Sequence, residues 1–139
     1  MNSMVTWTQG MAFDVDVDGF KMKIDAAPEH GGGGAGPTPK PLMLTALAGC
    51  TGMDVIAILG KMRITPTAFS VSADTELVDT HPKVFKEVVV TYRFEGQDLP
   101  VERLKRAVEL SETRYCAVNA MISQATSVRA VVFYNGSEV

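Results

Sequence analysis

This sequence has few cysteines, no excess of basic charge and no recognisable N-terminal targeting segment. Two cysteines in 139 residues are too few for a small disulfide-stabilised scaffold. The 13 Lys and Arg residues are outnumbered by 16 Asp and Glu residues, so the chain has no basic excess typical of a nucleic-acid-binding domain. Residues 1–10 contain neither the basic nor the apolar segment of a signal peptide. We therefore expect a cytoplasmic protein that does not bind nucleic acid.

The bulk composition is that of an ordinary globular protein. Hydrophobic residues make up 46% of the chain and charged residues 21%. A chain of this length can bury roughly two-thirds of its unfolded surface, which is enough for a core without disulfides. The sequence therefore predicts a single domain over residues 1–139.

The most unusual stretch is residues 39–63, PKPLMLTALAGCTGMDVIAILGKMR, which carries Cys50 near its middle. It predicts a long helix with almost no polar face between Leu42 and Leu59, whereas a surface helix has one. Such a helix lies either in the centre of a fold or in a subunit interface. It is too short to be a good membrane span and is interrupted by small and polar residues, so we expect no membrane association.

Strands are predicted before and after this helix. Alternation of apolar and polar residues predicts strands over 5–8, 11–17 and 20–24, with a hairpin turn at Asp18-Gly19. Strands at 69–78 and 83–94 follow the helix, then helices at 101–112 and 117–125, and a last strand at 127–134. The order βββ-α-ββ-αα-β indicates an α+β fold, because strands and helices do not alternate singly.

The residues that could carry chemistry are few. The glycine-rich segment 26–37 predicts a loop and lacks the lysine and hydroxyl residues of a phosphate-binding P-loop. Cys50, Cys116, His30 and His81 form no CxxC or HxxxH cluster, so the sequence predicts no metal and no cofactor. The two cysteines are then either a redox pair or two buried structural thiols.

Three segments resemble the OsmC/Ohr family, and most closely its poorly characterised branch. They are PEHGGGGAGPTPKPLMLTALAGCTGMDV at 28–55, HPKVFKEVVVTYRFEG at 81–96 and SETRYCAVNAMISQATSV at 111–128. The first resembles the family's glycine-rich loop and cysteine-bearing helix. The last resembles its second-cysteine segment. The length and the element order agree as well, so the resemblance covers nearly the whole chain.

The resemblance implies a fold and an activity. The fold is an OsmC-like intertwined homodimer, with antiparallel sheets wrapped around the long central helix. The activity is that of a thiol-dependent peroxidase acting on organic peroxides and hydrogen peroxide. Cys50 would attack the O–O bond as a thiolate and become a sulfenic acid. Cys116 would condense with it to a disulfide, which a dithiol reductant would reopen.

The sequence departs from the family's peroxidases at both activating positions. Those enzymes use an arginine from the first hairpin and a glutamate at the start of the central helix. This chain has no arginine before Arg63, and Lys40 stands at the glutamate position. The remaining auxiliary candidates are Glu29, His30, Asp54 and Glu112.

These departures favour an alternative function. In it, the protein binds or senses a small apolar ligand in the same interface pocket, and its thiols turn over slowly or not at all.

Overall fold

The computed structural model describes all residues, 1–139, and the chain divides into two compact units, Met1–Met43 and Leu44–Val139. The single domain over 1–139 stays a prediction. The elements are β1 Ser3–Gln9, β2 Ala12–Val17, β3 Phe20–Ile24, a 3₁₀ turn Pro28–His30, α1 Pro39–Lys61, β4 Ala68–Leu77, β5 Phe85–Glu95, α2 Val101–Leu110, a π-helical turn Ser111–Tyr115, α3 Ala117–Ile122, β6 Ser127–Tyr134 and β7 Ser137–Glu138. The α+β class is confirmed, and the chain adds a short last strand to the predicted elements.

The N-terminal unit is a three-stranded antiparallel sheet in the order β1-β2-β3. The predicted turn at Asp18-Gly19 is present, with positive φ angles of 48° and 93° that a tight hairpin turn requires. The register places the acidic residues of β2 opposite lysines of β3, and Asp16–Lys21 and Asp14–Lys23 form ion pairs. Opposite charges on β2 and β3 therefore favour this register of the hairpin.

The glycine-rich segment is a loop as predicted, apart from the one 3₁₀ turn, and it is organised around Asp25. This carboxylate is 3% exposed and accepts hydrogen bonds from the backbone N–H groups of Ala26, Gly33 and Ala35. These donors hold the pKa of Asp25 below its usual value. A Cβ at Gly32 would lie 1.7 Å from the Ala26 carbonyl oxygen, so only glycine fits where the loop passes this backbone.

The C-terminal unit contains a four-stranded sheet in the order β4-β5-β6-β7. β4 and β5 are antiparallel, but β5 and β6 run parallel, with Val88 paired to Val128 and Phe94 to Tyr134. In this pair the structure differs from the predicted antiparallel sheets. The physical reason is the connection between the two strands. α2, the π turn and α3 form a crossover that carries the chain back to the end of the sheet at which β5 begins.

Helix α1 buries a narrow stripe against this unit. Leu47, Thr51, Val55, Ile58 and Leu59 are buried at three- and four-residue spacing. Gly52 faces β4, where a Cβ would make an ordinary van der Waals contact with the Val71 side chain at 3.4 Å. The stripe belongs to the same core as the β5 residues Val88, Val90, Tyr92 and Phe94.

Much of α1 outside the stripe remains uncovered by the chain. Met53 is 76% exposed and Ile56 46% exposed. By length and composition α1 is apolar enough to cross a membrane, but core helices of soluble proteins pass the same test. The sequence offered two places for α1, the centre of the fold or a subunit interface. The exposed residues show that the chain's own core does not cover the face of α1 outside the stripe. The subunit interface stays a prediction.

Candidate functional site

The two cysteines lie close together in the C-terminal unit. Cys50 is on α1 and half-buried, and Cys116 is 3% exposed at the N-cap of α3. Both are free thiols, and their sulfur atoms and a carboxylate oxygen of Asp54 lie within 4.8 Å of one another. Cys50 and Asp54 are four residues apart, so the helix presents both on one face.

A π-helical turn positions the second cysteine. It spans Ser111–Tyr115 at the end of α2 and closes with a 2.8 Å hydrogen bond from the Cys116 N–H to the Ser111 carbonyl. π-Helical turns are uncommon in proteins, and those that occur are often found at functional sites. Cys116 then has extended backbone angles and begins α3, where its sulfur accepts the Asn119 N–H at 3.3 Å. The sequence correctly places Cys116 at the start of a short helix.

The environment of Cys116 disfavours its thiolate. Burial raises the pKa of the Cys116 thiol to about 11, and the neighbouring Cys50 and Asp54 act in the same direction. The Asn119 N–H has the opposite, smaller effect. Cys116 is therefore held as a thiol at neutral pH.

A chain of hydroxyl groups lies beside the cysteines and was not identified from the sequence. Thr51 Oγ1 lies 2.7 Å from the Tyr92 hydroxyl and 2.7 Å from Ser111 Oγ, and Ser111 Oγ donates to Asp54 at 3.2 Å. Thr51, Tyr92 and Ser111 are each at most 1% exposed. One ordering gives each hydroxyl a donor role, with Tyr92 donating to Thr51, Thr51 to Ser111 and Ser111 to Asp54. The network thus links β5, α1 and the π turn to the carboxylate beside Cys50.

One sequence signal could have revealed this network. Ser111 falls at a buried position of the α2 periodicity, after Val101, Leu104 and Val108. A hydroxyl at an apolar position requires a hydrogen-bond partner inside the protein.

The other predicted auxiliary residues, Glu112, Glu29 and His30, do not belong to the group formed by Cys50, Asp54 and Cys116. Glu112 lies on the π turn; burial raises the pKa of the Tyr92 hydroxyl, and the Glu112 carboxyl group raises it further. Glu29 and His30 lie in the exposed 3₁₀ turn of the N-terminal unit. The functional roles of all six residues stay predictions.

Glu112 should destabilise the folded protein once the pH exceeds the pKa of its carboxyl. Burial raises the pKa of its carboxyl to about 6 from 4.5, so the folded state holds the proton more tightly than the unfolded state. The free energy of unfolding should therefore fall as pH rises from 4.5 to 6 and stay low above that. The full shift corresponds to about 2 kcal/mol, and partial exposure reduces it to about 1 kcal/mol.

Glu112→Gln should remove this penalty, because glutamine is neutral at every pH. We expect urea unfolding to show a gain of about 1 kcal/mol at pH 8 and almost none at pH 4.5. The exposed Glu87→Gln serves as a control and should change stability little at either pH. A Glu112→Gln protein less stable than the original at pH 8 would contradict this account.

Comparison with known proteins identifies the family. The family model described as OsmC-like protein matches residues 31–130. Protein YhfA of Escherichia coli K12 is 29% identical over 129 residues, which is 92% of this chain and 93% of YhfA.

Solved structures show the same fold. An OsmC-like protein from Mycoplasma pneumoniae superposes with a TM-score of 0.83 at 14% identity, covering 96% of this chain and 95% of that one. An organic hydroperoxide resistance protein OsmC from Legionella pneumophila gives a TM-score of 0.70 at 20% identity, covering 96% and 97%. At these identities the structural likeness establishes the fold alone.

Proposed function

Because this chain belongs to the OsmC-like family, we propose that it is a thiol-dependent peroxidase that reduces hydroperoxides with Cys50 and Cys116. The observation that carries the proposal is the pairing of the two free thiols, whose sulfur atoms are at most 4.8 Å apart although 66 positions separate them along the chain. Family members described as organic hydroperoxide resistance proteins support it.

The surroundings of the two thiols support the order of reaction that we propose. The Cys50 thiolate attacks one oxygen of ROOH, the O–O bond breaks, and the alkoxide takes a proton to leave as ROH. The Cys116 sulfur then attacks the Cys50 sulfenic acid, which forms the S–S bond and releases water. A dithiol reductant reopens the disulfide by exchange. Cys50 attacks first because it is half-buried, whereas Cys116 is buried and held as a thiol.

Cytoplasmic location and a homodimer are parts of the same proposal. A reducing compartment would supply the dithiol that regenerates the pair. The exposed apolar residues of α1, Met53 and Ile56, support a partner subunit, since soluble proteins rarely leave such residues in contact with water as a patch.

A stopped-flow experiment tests the proposal directly. Reduced protein is mixed with cumene hydroperoxide or hydrogen peroxide, and the products are mapped by mass spectrometry. We expect rapid loss of two thiols and a Cys50–Cys116 disulfide in the peptide map. Two thiols that remain intact in excess peroxide would rule out the activity.

The alternative is a protein that binds or senses a small apolar ligand. The specific observation in its favour is the lack of both activators found in the family's peroxidases, with Lys40 at one position and no arginine before Arg63. Intact thiols in the stopped-flow experiment, together with an apolar fluorescent probe that is displaced by fatty or aromatic compounds, would favour this function.

A further inference from the structure

We propose that Cys50, Asp54 and Cys116 form a binding site for a borderline-soft divalent cation of the Zn²⁺ class. The inference goes beyond the peroxidase function and does not require it. The sequence predicts no metal, because neither cysteine has a second ligand in a CxxC or HxxxH motif. The structure instead assembles three donors from α1 and the N-cap of α3, which are distant in sequence.

The donor set has the chemistry of a zinc site. Zn²⁺ takes cysteine thiolates at about 2.3 Å and carboxylate oxygens at about 2.0–2.2 Å, and many of its sites hold three protein ligands with the fourth position open. In a tetrahedral arrangement those bond lengths place donor atoms about 3.6–3.8 Å apart. The three donors here lie within 4.8 Å of one another, so a closure of about 1 Å, within side-chain rotation, would complete the site.

The surrounding hydrogen bonds orient two of the three donors. Ser111 Oγ donates to Asp54 at 3.2 Å, and the Asn119 N–H donates to the Cys116 sulfur at 3.3 Å. Outer partners of this kind fix ligand orientation in metal sites and contribute to affinity.

The burial of the three donors leaves the site open on one side. Cys116 is buried, whereas Cys50 and Asp54 are half-buried, so one side of the site remains accessible to an entering ion. A bound cation would engage both sulfurs and keep them from hydroperoxide.

Cobalt substitution provides the first test. Reduced, metal-free protein is titrated with Co²⁺ without oxygen, because Co²⁺ accepts zinc geometry and is coloured. We expect one Co²⁺ per chain, with thiolate charge-transfer absorption in the near ultraviolet, strong tetrahedral bands in the visible, and loss of both on adding Zn²⁺. Absence of the charge-transfer absorption would overturn the proposal.

Variants then identify the ligands. Cys50→Ser or Cys116→Ser should halve the charge-transfer intensity and weaken Zn²⁺ binding at least about tenfold, which is already the typical cost of losing an outer partner. Asp54→Asn should weaken Zn²⁺ binding to a similar extent with both thiolates present. The matched control is Asp79→Asn, an exposed aspartate in the β4–β5 turn, which should leave affinity unchanged. Equal affinity of Asp54→Asn and the original chain would overturn the three-ligand site.

A protection experiment on the unmodified chain keeps the proposal testable if a cysteine variant fails to fold. Saturating Zn²⁺ should slow iodoacetamide alkylation of both thiols at least about tenfold, whereas Mg²⁺ at the same concentration should not, because it prefers oxygen ligands. Unchanged alkylation with Zn²⁺ would overturn the proposal. A protein that binds Zn²⁺ but leaves peroxide intact fails only the peroxidase proposal, and the reverse result fails only this one.

Discussion

Replacing Cys50 by serine should reduce hydroperoxide consumption by at least about a thousandfold, because the alkoxide that a serine would need does not form at neutral pH. Replacing Cys116 by serine should leave the first reaction with hydroperoxide intact but prevent the Cys50–Cys116 disulfide from forming. The product would be a Cys50 sulfenic acid, which has no second protein thiol to condense with. The two variants therefore separate the attacking thiol from the resolving one.

The measurement is peroxide consumption under steady-state conditions, with dimedone trapping of the sulfenic acid. Met53→Leu is a matched control, since it removes an exposed sulfur from the same helix without touching a thiol, and it should consume peroxide at the original rate. A Cys50→Ser protein that retains the original rate would remove Cys50 from the mechanism. A first turnover lost in Cys116→Ser but kept in Cys50→Ser would reverse the order of the two thiols.

Replacing Thr51 by valine should lower the free energy of unfolding by about 1–3 kcal/mol. The substitution conserves the shape of the side chain but leaves the Tyr92 hydroxyl and Ser111 Oγ without their shared partner in a buried site. Burial already raises the pKa of the Tyr92 hydroxyl well above its usual range, which marks a site where an unsatisfied polar group is costly.

Urea unfolding of Thr51→Val, Tyr92→Phe and the double variant gives the coupling energy between the two side chains. We expect the double variant to be more stable than the sum of the single losses predicts, because it removes both partners together. Thr80→Val, at an exposed turn position, should stay within about 0.5 kcal/mol of the original. Additive losses would show that Thr51 and Tyr92 do not interact in solution.

The elements of this fold were largely predictable because their signals are local. The apolar run around Cys50 predicted the helix that the structure gives as Pro39–Lys61. The Asp18-Gly19 pair predicted the hairpin turn between the second and third strands. Period-two alternation depends on residues two apart, and helical periodicity on residues three or four apart, so both can be recognised in the sequence.

Other features had no local signal. The parallel pairing of Phe85–Glu95 with Ser127–Tyr134 depends on the path of the crossover between them, and the strand Ser137–Glu138 is too short to show a pattern. The π turn at Ser111–Tyr115 has no sequence pattern that distinguishes it from an ordinary α-helix.

The candidate site divides in the same way. The sequence by itself singled out the two cysteines as candidate site residues, placed each on its own helix, and set Asp54 on the same helical face as Cys50. Only the tertiary structure decided that Cys116 lies beside Cys50 and Asp54, and that the hydroxyl groups of Thr51, Tyr92 and Ser111 connect to Asp54. The physical reason is that local propensities fix the direction of a side chain relative to its own element. The distance between residues 50 and 116 depends on how the elements pack, and packing is determined by the buried surface of the whole unit.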